Sequence, residues 1–103
     1  MLCQLRTYQV RPGAMDEFVA LWRDHLVPLR ESHGYQVLGA WNDPKKGTFA
    51  WVVGHEAPDG WDAAEKIYYD DPARSALPRD PKDLLLSADT QVLQPVAADR
   101  LQH

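Results

Sequence analysis

The chain has 103 residues, 45% of them hydrophobic and 25% charged, and carries a formal net charge of −4. A chain of this length can bury about 65% of its unfolded surface in one core, so one domain spanning 1–103 is expected and extensive disorder is excluded. Its acidic balance, with no basic stripe, argues against nucleic acid and against anionic membrane as partners.

Residues 2–10 alternate loosely between Leu, Gln, Thr, Tyr and Val and stop at Pro12-Gly13, which predicts a strand and a turn. From Ala14 the period lengthens: Met15, Phe18, Val19, Trp22, Leu26 and Leu29 recur at three- and four-residue steps, one apolar face of a helix over about 14–33. Asp16 and Glu17 open it, while Arg30 and His33 suit its carboxyl end. Pro28 falls inside and should bend the axis or split off the last turn. Tyr35 to Asn42 and Thr48 to Glu56 then form a β-hairpin around Asp43-Pro44-Lys45-Lys46-Gly47. Asp62-Ala63-Ala64-Glu65 has capping-box spacing and opens a helix to about Tyr69. Asp71-Pro72 starts a shorter one through about Leu77. Leu84 to Val96 reads as the last strand, and Ala97 to His103 as a frayed tail.

This β-α-β-β-α-β order is that of a ferredoxin-like α+β fold: a four-stranded antiparallel sheet with both helices on one face. Centring the hairpin on Lys45 puts Val37, Gly39 and Trp41 on one face with Val53, Trp51 and Phe49, with Gly39 leaving room for the Trp51 indole. Leu38, Ala40, Val52 and Ala50 take the other face, and the last strand is apolar on both sides. Two helices cover only one face, and the other would be a large exposed apolar patch. The same face of a second copy is the expected cover, making a homodimer of packed sheets, a dimeric α/β barrel.

Met1 to Arg6 show no secretory signal, no apolar run approaches the ~20 residues of a membrane span, and Cys3 is alone. A cytoplasmic protein is expected. No phosphate-binding glycine loop, metal-ligand pair or nucleophile motif appears, so no metal is expected.

The stretches Leu5-Arg6-Thr7-Tyr8, Arg11-Pro12-Gly13, Pro28-Leu29, Gly34-Tyr35 and Gly39-Ala40-Trp41 resemble the NIPSNAP family of small dimeric α/β-barrel proteins. Tyr68-Tyr69-Asp70-Asp71-Pro72-Ala73-Arg74 is similar to the aromatic-acidic-proline-arginine signature of that family's second helical segment. The resemblance spans about residues 4–96 and implies a dimeric barrel with a pocket between the sheet and helices of each subunit. It implies no settled reaction. Related barrel families include cofactor-independent monooxygenases, heme-degrading monooxygenases, chlorite-dismutase-like enzymes and muconolactone isomerases, and fold alone does not choose among them.

Within that pocket, His25 and Tyr8 are the catalytic candidates, and His25 has the alternative of packing at the helix edge. Trp51 and Tyr68 are candidate walls for a planar ligand. Arg6 and Arg74, both in family-like motifs, are candidate anchors for an acidic substrate, with surface ion pairs as the alternative. Trp51 matches a pocket tryptophan of the heme-degrading relatives, but those need a histidine on the second helix and residues 59–77 contain none, so no cofactor is expected. Two functions remain: a small-molecule enzyme of cofactor-independent monooxygenase or isomerase type, acting on an aromatic molecule, and a non-catalytic binding or scaffolding dimer.

Overall fold

Strand β1 (Leu2–Val10) runs up the middle of an antiparallel sheet, flanked by β3 (Thr48–His55) and β4 (Leu85–Leu93), and β2 (Gln36–Asp43) completes the order β2-β3-β1-β4. The computed structural model describes residues 1–97, so all but the first residue of the expected tail lies outside the described residues. Helical segments α1 (Met15–Leu21), α2 (Val27–Ser32), α3 (Trp61–Asp70) and α4 (Pro72–Ser75) cover one face of the sheet. This is the expected ferredoxin-like α+β arrangement. Tyr8 and Phe49 stack at 6.2 Å between ring centres, and Phe18 from α1 meets both edge-on. Among the described residues no helix is long and apolar enough to cross a membrane.

The first helix is split, earlier than expected. Trp22–Leu26 forms a π turn in which the Val27 N–H donates to the Trp22 carbonyl, five residues back. Pro28 has no N–H and its ring crowds the preceding turn. A wider turn just ahead of it lets the chain stay helical through the defect. The cost to the periodicity is large, because one extra residue rotates everything after it by about 100°. Evenly wound, the helix would set His25 two turns above Phe18, on the core side. Instead Leu26 and Arg30 are buried and His25 is exposed.

A second one-residue slip changes the hairpin. The pairing of β2 with β3 shifts between Val37 and Gly39, so Ala40 faces Trp51 and Trp41 faces Ala50. A residue added to one strand moves all later ones to the opposite face. Trp51 therefore lies under the helices, 2% exposed, whereas Trp41 stands on the open face, 63% exposed. Gly39 accommodates Trp41, not Trp51: a Cβ there would meet the Trp41 ring at 2.6 Å. The last strand also differs from expectation. It begins at Leu85, after a 3₁₀ turn over Pro81–Leu84 that buries Leu84. Its residues opposite Gln9, Thr7 and Leu5 are Ser87, Asp89 and Gln91, so its outer side is polar except at Leu93, which lies opposite Cys3.

The capping box at Asp62 to Glu65 does not form. Gly60, at φ +97°, precedes α3 without a side-chain cap, and the Glu65 carboxylate turns to the buried Arg30 instead. Asp71 does cap α4, accepting from the Ala73 N–H at 2.8 Å.

Candidate functional site

Under the helices, between β1 and β3 on one side and α2 to α4 on the other, lies a cavity of about 90 Å³. Arg6, Tyr8, Trp51, Tyr68, Tyr69 and Arg74 are among its walls. Even-numbered residues of β1 and odd-numbered residues of β3 face the helices, which delivers Arg6, Tyr8 and Trp51 to one place. On α3, Glu65, Tyr68 and Tyr69 recur at three- and four-residue spacing and close the other side.

The polar groups form a chain of contacts. Arg6 Nε donates to the Tyr8 hydroxyl at 2.6 Å, and Trp51 Nε1 donates to the same oxygen at 3.0 Å. Arg6 Nη1 donates to Gln4 at 2.6 Å and lies 3.5 Å from Glu65 Oε1. The other oxygen of Glu65 accepts from Arg30 Nη1 and from the Tyr35 hydroxyl. Arg30 sits in an aromatic box, its guanidinium carbon 3.8 Å from the Tyr68 ring centre and 4.7 Å from that of Tyr35.

These neighbours set the protonation. Burial works against the charge of Arg6, but Tyr8, Tyr69 and Glu65 outweigh it and raise its pKa, so Arg6 is a fixed cation. Burial, reinforced by the Glu65 charge, pushes the Tyr35 phenol up. Burial also raises Tyr68, against the opposing pull of Arg30 and Arg74. Among the described residues no three His, Cys, Asp or Glu side chains converge as a metal site.

Five of the six candidates from the sequence, Tyr8, Arg6, Trp51, Tyr68 and Arg74, line this cavity. His25 does not. The π turn swings it outward, onto an open groove shared with Pro28 and Leu77. Sequence reasoning missed Arg30 and Glu65. Arg30 continues the Phe18, Trp22, Leu26 spacing by one more step of four, which is the signal that a charged residue was turning inward.

The fold is shared with solved structures. An uncharacterized NIPSNAP domain protein from Burkholderia xenovorans has TM-score 0.80 at 19% identity, over 94% of this chain and 96% of that one. A NIPSNAP family protein from Agrobacterium tumefaciens has TM-score 0.79 at 18% identity, over 92% of each. A putative antibiotic biosynthesis monooxygenase from Nitrosomonas europaea has TM-score 0.67 at 12% identity, over 94% of this chain and 100% of that one. No curated protein matches. The NIPSNAP family model matches residues 3–97, nearly the whole chain, and the chain belongs to the NIPSNAP family.

Proposed function

We propose that this protein is a homodimer that binds a small aromatic molecule in the cavity of each subunit and exchanges a proton with it through Tyr8. One observation carries the reading. The Tyr8 oxygen accepts two hydrogen bonds, from Arg6 and Trp51, and the hydroxyl has no acceptor of its own among the described residues. Its proton is left for a ligand, and two donors stay in place to receive the charge left on the oxygen. Aromatic walls exclude water and hold a planar molecule against that group. Proton transfer of this kind is the step common to isomerases and to cofactor-independent oxygenation, and the likeness to antibiotic biosynthesis monooxygenases supports it.

The homodimer rests on the open sheet face. Leu5, Ala50 and Val52 form its centre, with Leu38 and Trp41 exposed beside them. Such a face is complementary to itself across a twofold axis.

Thermal denaturation with a panel of phenols and quinones tests binding: a rise in the melting temperature with any of them is expected. Deuterium uptake by the single-ring ketone phenylacetone from heavy water tests the chemistry, and Tyr8→Phe should slow the protein-dependent rate by about 100-fold or more. Binding without any protein-dependent exchange would leave a carrier rather than an enzyme. No shift with any compound would remove the cavity reading.

A further inference from the structure

The polar groups of the same cavity also select the class of ligand, an inference that rests on the reading just given. Arg6 and Arg30 share Glu65 and are satisfied. Arg74 and Lys82, on the opposite wall, have no ion-pair partner among the described residues. Arg74 Nε is shut off from solvent with nothing to donate to, a state that a bound anion would relieve. Both residues also line an adjoining outer groove. There Arg79 is held by Glu17 at 2.8 Å, and Asp80 accepts from the backbone N–H of Lys82 at 3.0 Å.

Size narrows the ligand further. An apolar cavity of about 150 Å³ takes up one benzene ring. At about 90 Å³ this one is smaller still, so even a single ring must reach into the groove, and a fused system would lie largely outside the cavity walls. We infer that the ligand is the anion of a single-ring aromatic carboxylic acid bearing a second oxygen. Its carboxylate lies on Arg74 and Lys82, and its far oxygen accepts the Tyr8 hydroxyl. Arg74 suits the role because its planar fork matches a carboxylate, while Lys82 supplies a second, mobile charge.

Isothermal titration with three probes tests this: 4-hydroxybenzoate, the uncharged 4-hydroxybenzamide, and the fused-ring 3-hydroxy-2-naphthoate. The benzoate should bind more tightly than either of the others. Arg74→Gln should weaken the benzoate by about tenfold or more and leave the amide within about twofold, while Arg74→Lys should restore part of the loss. Amide binding by Arg74→Gln also shows that this variant is folded. An amide that binds as tightly as the benzoate, or benzoate affinity untouched by Arg74→Gln, would overturn the anion and leave the cavity reading standing. A naphthoate that binds best would overturn the one-ring limit. If none of the three binds, while neutral phenols still raise the melting temperature, the acid class falls alone. If nothing binds at all, both readings fall.

Discussion

The Arg30 guanidinium reaches Glu65 at 2.5 Å across the seam between α2 and α3, and Arg30 is only 2% exposed. A buried pair of this kind is worth little against an apolar replacement of the same shape, but breaking it leaves one charge uncompensated. Glu65→Ala should therefore cost about 3–5 kcal/mol. The double variant Arg30→Met with Glu65→Leu should cost less than Glu65→Ala, because only Arg6 and the Tyr35 hydroxyl, and no longer Arg30, are left without their shared acceptor. Urea denaturation of the wild type and both variants checks the ordering, and equal losses in the single and double variants would contradict it.

Acid should loosen α4 first. The Ala73 N–H and then His33 hold the Asp71 carboxyl below its ordinary pKa. A group depressed in the folded state contributes stability above its unfolded pKa, near 4, and loses it as pH falls through the folded value. Protection factors of the Ala73 and Arg74 amides, each taken relative to the intrinsic exchange rate at the same pH, should fall below about pH 4, and Asp71→Asn should abolish that pH dependence.

At the alkaline end the sign is reversed. Tyr35 and Tyr68 hold their protons more tightly in the folded chain. Above about pH 10 the unfolded chain releases those protons while the folded one keeps them, so stability falls as pH rises. Melting temperatures measured from pH 8 to 11.5 should drop more steeply for the wild type than for Tyr35→Phe, compared each with its own value at pH 8.

The open sheet face supplies a test of assembly. Val52→Asp and Trp41→Asp each place a charge among apolar neighbours that a second copy would cover. Sedimentation should show a dimer for the wild type and a monomer for the Val52→Asp protein. A wild type that sediments as a monomer would contradict the dimer directly.

His25→Ala should change stability by less than about 0.5 kcal/mol, as expected for an exposed position away from caps and core. It should also leave ligand-induced thermal shifts unaltered, because the imidazole lies outside the cavity walls.

The element order and the helix-covered face were legible in the sequence because they depend on periods of two and of about 3.6, which survive small errors, whereas the five cavity residues were marked by family-like motifs and by their aromatic character. The features that were lost depend on single residues. The π turn at Trp22–Leu26 and the slip between Val37 and Gly39 each add one residue to an otherwise regular element. Each re-aims the side chains beyond it: His25 and Arg30 in the first case, turned by about 100°, and Trp41 relative to Trp51 in the second. Pro28 announced a helix defect but not its position. Glu65 has the spacing of a cap, and only the distant Arg30 draws it elsewhere. Local pattern carries no information about a partner 35 residues away.

The widened turn ahead of Pro28 is in effect an insertion that the scaffold has absorbed, and it makes the first helical layer tolerant of shortening. Losing a single codon for Arg23 or Asp24, both exposed, would let this stretch wind evenly while Leu26 and the Arg30 guanidinium kept their inward aim. Even winding at full length would do the reverse: the imidazole of His25 would enter the chamber wall, Arg30 would leave it, and Glu65 would be stranded without its cation.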